Sequence, residues 1–463
     1  MSVAFRTIRE LGADLRAGRL SPVALAEACL DGLEKTGRRL NAVVTLTRER
    51  ALEQARRAER ELKGGRDRGP LHGIPYGAKD LLATSGGIPT TWGAAPFRER
   101  RFDYDATVIR RLEDAGAMLV AKLAMVELAG GMGYRQPNAS FTGPGISPWA
   151  PDAWSGGSSS GSGSAVGAGL VPFAIGSETW GSILAPATLC GVTGLRPTYG
   201  RVSRHGAMAL CWTLDKLGPL ALTADDCGLV LDAIAGPDPA DPSAAARPYR
   251  YDAADPGRPF RFAVVRGAAD AAQPPVREAF ARALDTLRTL GSVEAIALPD
   301  LPYEAMTRII LWAEGASSFE RLIESGGIAD LTAPEDRATP YARDAILAKD
   351  YLRALRLRGV VAREIDHALS RFDALVGPSR GAVGARLGAE FRSPIRGGVP
   401  DVLGAIGAAA GLPAVGVPCG LTSEGLPVGL QFLGRAWDEN VVLAAARAWQ
   451  AATPYHRQRP PLS

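Results

Sequence analysis

Two hydrophobic patterns alternate along the chain. Over residues 4–65 apolar and charged positions recur at helical spacing. "SPVALAEACLDGLEK" predicts a helix with Ser21 as N-cap and Pro22 in its first turn. "ALEQARRAERELKGG" predicts a second, stopped at Gly64 and Gly65. From 66 to 235 short apolar runs such as "AMLVAKL" and "GLVPFAIG" alternate with helical segments such as "ATVIRRLEDAG". Runs without a polar face are expected of strands covered on both sides, so the organisation is α/β. Residues 236–258, rich in Pro, Asp and Ala, predict a loop. "FRFAVV" predicts a strand, 275–290 a helix and 302–372 a largely helical stretch; the α/β pattern returns at "DALVGP". The reading is a single unit over 1–463. It has an N-terminal helical region (1–65), a core (66–235), a variable, mostly helical insertion (236–372) and the rest of the core (373–463), whose two α/β stretches share one sheet.

Composition narrows the function. The chain has 463 residues, 46% hydrophobic and 22% charged, as expected of a soluble protein with a large core. Its net charge of +4 comes from 53 basic and 49 acidic residues without a basic stripe, which argues against nucleic acid as a partner. Residues 402–421, "VLGAIGAAAGLPAVGVPCGL", are uncharged and long enough to span a bilayer. They are mostly Ala and Gly and are broken by Pro413 and Pro418, so they predict a buried helix followed by a buried strand, without stable membrane association. The cysteines Cys29, Cys190, Cys211, Cys227 and Cys419 are odd in number and form no CxxC pair. Neither a disulfide framework nor a metal site is indicated, and a reducing cytoplasm is expected. The opening "MSVAFRTIRELGADLRAG" predicts an amphipathic helix rather than a signal peptide.

Candidate chemistry begins with "WSGGSSSGSGSAVGAG". Residues 155–164 are all serine or glycine, the composition of a flexible linker. A linker needs polar sequence on both sides, yet this run flows into "AVGAGLVPFAIGSETWGS", so it predicts a buried turn opening a closely packed helix. Gly157–Gly161 fits the G-x-S-x-G nucleophile elbow with Ser159 as nucleophile, but "GPGISPWAPDAW" before it is not a hydrophobic strand. The chain also holds only four histidines, His72, His205, His367 and His456. No lysine follows to complete a phosphate-binding loop. A third possibility is serine chemistry with lysine as base. Only six of the 53 basic residues are Lys, and Lys79 sits in the apolar "GIPYGAKDLLATSGG". A buried lysine can lose its proton, which arginine cannot.

Three segments in order, "GIPYGAKDLLATSGG", "SGGSSSGSGSAVGAG" and "IGSETWGSILAPATLCGVTGLRPTYGRVSRHG", resemble the amidase signature enzymes. "SPVALAEACLDGLEKTGRRLNAVV" and "GLPAVGVPCG…GLPVGLQFLGRAWDEN" are similar to that family as well, whereas 240–370 matches nothing in it. The resemblance implies an α/β fold with a large mixed, twisted sheet, helices on both faces and a helical insertion. It implies a Ser–Ser–Lys triad: Ser182 as nucleophile, Ser158 as the bridging residue on a cis peptide bond, and Lys79 as base. The backbone N–H groups of Thr179, Trp180, Gly181 and Ser182 would form the oxyanion hole, and Ser159 would support the network. No cofactor is implied.

The family's D-x-G-G-S-I-R here reads Glu178-Thr179-Trp180-Gly181-Ser182-Ile183-Leu184. Loss of the Arg together with a changed acid suggests a replaced ion pair. Trp180 and Leu184 suggest an apolar pocket, with the small Ala129 and Gly131 on its acyl side. The expected function is hydrolysis of C–N bonds in apolar or aryl amides, and also in carbamates (urethanes) or esters, by a monomer or homodimer. The glutaminase component of a tRNA-dependent amidotransferase is the alternative within the family. An esterase of the α/β-hydrolase type and a non-catalytic binding relative are the alternatives outside that reading.

Overall fold

A computed structural model describes residues 4–391 and 399–462. Its eleven strands are β1 (Val43–Leu46), β2 (Pro75–Lys79), β3 (Met118–Leu123), β4 (Phe173–Glu178), β5 (Thr193–Arg196), β6 (Lys216–Ala221), β7 (Phe260–Val265), β8 (Gly291–Ile296), β9 (Ala374–Pro378), β10 (Ala414–Leu421) and β11 (Pro427–Leu433). They form one mixed sheet in the order β1-β3-β2-β4-β6-β5-β10-β11-β9-β7-β8. β2 runs parallel to β3 and β4, and β7 parallel to β8 and β9, while β4–β6 and β10–β11 are antiparallel. The inner strands β2, β3, β4 and β6 are buried at every residue, because helices cover both faces.

The two outer segments supply further strands: β7 is the one read from "FRFAVV", while β1 and β8 went unread. The N-terminal region is not helical throughout, since β1 pairs with β3 at one edge. The insertion is helical only after its first part: β7 and β8, flanking the helix Pro274–Leu290, extend the sheet beside β9. β8, "GSVEAI", is buried only at Ile296, so no apolar run announces it. The uncharged 402–421 stretch folds as a buried helix, Val402–Ala409, followed by β10. Among the described residues no helix is long and apolar enough to cross a membrane.

The serine–glycine run lies at the centre. All of 155–164 is buried, and Ser160–Gly167 is a helix packed between β4 and the helix Leu184–Leu189. Gly161 explains the glycine content. Its N–H donates to Ala124 O at 2.8 Å, and a Cβ there would stand 2.3 Å from Ala42 O. The buried serines are satisfied by backbone: Ser162 Oγ donates to Ile175 O at 3.3 Å and Ser164 Oγ to Ile146 O at 2.6 Å.

Candidate active site

Parallel pairing of β2 with β4 sets the C-terminal ends of both strands side by side. Lys79 ends β2, and Ser177 and Glu178 end β4. Lys79 Nζ, fully buried, donates to Ser158 Oγ at 2.7 Å and to Ser177 Oγ at 2.9 Å. The Gly157–Ser158 peptide is cis. Ser159 N–H donates to Ser182 O at 3.2 Å, tying the serine run to the turn that follows β4. Lys79 and Ser158 thereby meet from two separate parts of the chain, and the backbone of Ser182 is held against the residue next to Ser158. Burial lowers Lys79 to about 7, against the charges of Asp215 and Glu178, so a neutral amine is accessible near neutrality.

Ser159 is already occupied. Its hydroxyl donates to Ser177 O at 3.2 Å and accepts from Ser177 N–H at 3.3 Å, and it is fully buried without a histidine partner. It supports the framework and is not placed as an elbow nucleophile.

The turn 179–182 is shaped by Glu178. One carboxylate oxygen accepts the N–H groups of Ile183 at 2.8 Å and Leu184 at 3.0 Å; the other accepts from Arg196 at 2.7 Å. Both side chains are fully buried. Although burial opposes it, the charge of Arg196 holds the Glu178 carboxyl below its ordinary range. The changed acid therefore still sits in an ion pair, with Arg196 on β5 as its cation, which sequence reading did not foresee. Among the described residues no acceptor faces the N–H groups of Trp180, Gly181 and Ser182, and Gly181, at φ 88°, turns the chain between them.

The pocket residues separate. A cavity of about 170 Å³ is lined by Leu81, Ala129, Ser177, Thr179, Met208 and Leu210, and also by Arg204, His205, Trp212, Asp215 and Asp241. Ala129 faces it in a left-handed conformation, φ 55°. Gly131 lies behind that wall, where a Cβ would stand 2.2 Å from Leu210 Cδ1. Leu184 is buried against β10 at Gly416. Trp180 turns the other way, donating from Nε1 to Asp401 Oδ2 at 3.1 Å, an oxygen that also accepts from Arg380 at 2.9 Å.

Sequence reasoning passed over Ser177, Asp215, Lys216 and Arg196. The rarity of lysine could have found one of them. Lys79, Lys122 and Lys216 are all buried, while Lys35, Lys63 and Lys349 are exposed. Lys122, on β3, pairs with Asp80 at 3.1 Å and braces the residue after Lys79.

A sequence profile described as Amidase matches residues 24–443. The chain is 37% identical to a glutamyl-tRNA(Gln) amidotransferase subunit of Moorella thermoacetica, over all of this chain and 99% of that one. Among solved structures it is similar to the peptide amidase of Stenotrophomonas maltophilia, at 33% identity, 99% coverage of both chains and TM-score 0.85. It is also similar to the corresponding glutamyl-tRNA(Gln) amidotransferase subunit of Thermotoga maritima, at 28% identity over 100% of this chain and 98% of that one, with TM-score 0.82.

Proposed function

The chain belongs to the amidase signature family of C–N hydrolases, and on that premise we propose that it cleaves small neutral amides through an acyl-enzyme on Ser182. Neutral Lys79 takes the proton of Ser158, which takes that of Ser182. The Ser182 oxygen then attacks the carbonyl carbon, and the oxyanion is held by N–H groups of Thr179, Trp180, Gly181 and Ser182. Collapse of the tetrahedral intermediate expels the amine, which receives the proton back along the relay. Water repeats the sequence on the acyl-enzyme.

The observation that carries this reading is the 2.7 Å hydrogen bond from a fully buried Lys79 to Ser158. In that place the lysine serves no surface charge. The cavity wall is mixed, and its apolar side, formed by Leu81, Ala129, Met208 and Leu210, supports apolar or aryl amides beside the charged Arg204, Asp215 and Asp241; the same relay would serve carbamates and esters. On the opposite side of the turn, the Asp401 carboxylate is taken up by Arg380 and Trp180, which leaves it poorly placed for a free ammonium group.

A second reading, glutaminase within an amidotransferase complex, is favoured by the full-length identity to the Moorella protein. The experiment that tests the first is reaction with a small fluorophosphonate and mapping of the modified serine, with Lys79→Ala alongside. Label on Ser182 that fades in Lys79→Ala is expected, and label on Ser159 overturns the relay. Assays of an aryl amide and of glutamine in parallel then separate the two readings, since a marked preference for glutamine reverses the choice of substrate.

A further inference from the structure

Thr179 is gripped from two sides. Its hydroxyl donates to Asp215 Oδ1, and its carbonyl accepts from Lys216 Nζ at 3.3 Å. The other oxygen of Asp215 accepts the N–H groups of Leu210 and Cys211, each at 2.9 Å. Leu210 and Asp215 both line the cavity, so one carboxylate joins the cavity wall to the turn that carries the free N–H groups. Lys216 opens β6 directly opposite Glu178 in the ladder and is almost completely buried. None of these contacts involves Lys79 or Ser158, which are joined to each other by a separate hydrogen bond, with Ser177 as a second acceptor of the lysine.

We propose that Asp215 is a positioning residue, acting through the Thr179 hydroxyl with Lys216 as its counterpart, that fixes the 179–182 turn to the cavity wall. The oxyanion donors and the wall contacted by substrate then move as one body, and a substrate that seats against Leu210 finds the donors already in register. The inference rests on Ser182 being the nucleophile. Preorganised donors act without reorganising during the reaction, so a small displacement of this turn lowers turnover rather than binding.

The clamp also faces the base. The negative charge of Asp215 raises Lys79 against the lowering by burial. Glu178 acts in the same direction from the other side of the turn. Removing the Asp215 charge should therefore move the acidic limb of kcat/KM to lower pH, an effect that loss of packing would not produce.

The test compares Thr179→Val, Thr179→Ser and Asp215→Asn with the unaltered chain, using hydrolysis of a nitroanilide and the rate of fluorophosphonate labelling. Thr179→Val should lower kcat by about 10- to 100-fold with KM nearly unchanged, the size expected of slight misplacement. Thr179→Ser, which restores the hydroxyl, should recover most of it. Asp215→Asn should lower kcat to a similar extent and shift the acidic limb downward. The double variant should be no worse than either single one. Wild-type kcat in Thr179→Val, absence of rescue by serine, or additive losses overturn the clamp. Should Asp215→Asn not fold, the two Thr179 variants, which leave every buried charge in place, decide the matter. Ser182→Ala separates this from failure of the underlying reading: full activity there removes the nucleophile itself, whereas a dead Ser182→Ala beside a fully active Thr179→Val removes only the clamp.

Discussion

Arg196–Glu178 and Arg371–Glu294 are both arginine–carboxylate pairs on the same sheet, one at its middle and one at its β8 edge. The first has both side chains at 0% exposure, and its carboxylate also accepts two backbone N–H groups of the turn before the helix Leu184–Leu189. The second is exposed to 65% and 49% and joins β8 to the turn before β9. A buried pair cannot be solvated when one partner is lost, whereas an exposed pair exchanges one set of contacts for water. The difference teaches that the central pair shapes a buried turn, whereas the exposed pair at the β8 edge adds little to the burial of the apolar side chains around it. β7 and the helix Pro274–Leu290 are fastened by Phe260, Phe262, Val276, Phe280 and Leu287.

The comparison can be broken most severely at the centre. Ser182→Ala should lower amide turnover by at least about 10³-fold, with the melting profile kept, as measured by kcat and thermal unfolding. Next in size is the pH dependence. Because neutral Lys79 is the active form and its value is lowered to about 7, kcat/KM should rise with pH through about 7 and level off above it. Activity that instead falls through that range would assign the proton to another group.

Stability sharpens the contrast further. Arg196→Met strands Glu178 without its cation and should cost about 3–5 kcal/mol in denaturant unfolding. Gly161→Ala forces a methyl group against Ala42 O and should cost about 1–3 kcal/mol with a drop in activity, because Ser158 and Ser159 begin the same segment. Arg371→Ala at the sheet edge should stay within about 0.5 kcal/mol of the unaltered chain and leave activity intact. A large effect there would mean that the two ends of the sheet are alike after all.

Much of the α/β alternation was legible because strands covered on both faces must be apolar throughout, as "AMLVAKL" is. β8 was not, since an edge strand needs no apolar run and its pairing with β7 supplies what its composition lacks. Within the site, Lys79 stood out by its rarity and its apolar surroundings, and the serine run by flowing into core-like sequence. Asp215 and Lys216 did not stand out, because "TLDKLG" looks like any turn entering a strand.

The sequence by itself determined which residue types could do the chemistry. A lysine in an arginine-rich chain can become neutral, and serines flanked by glycine allow close backbone approach. Only the tertiary structure decided which groups met. Parallel pairing of β2 with β4 set Lys79 beside Ser158 and Ser177, and Arg196 reached Glu178 across the strand between them. Hydrogen bonds of this kind act over about 3 Å, so they depend on strand order and register, which no local stretch of sequence contains.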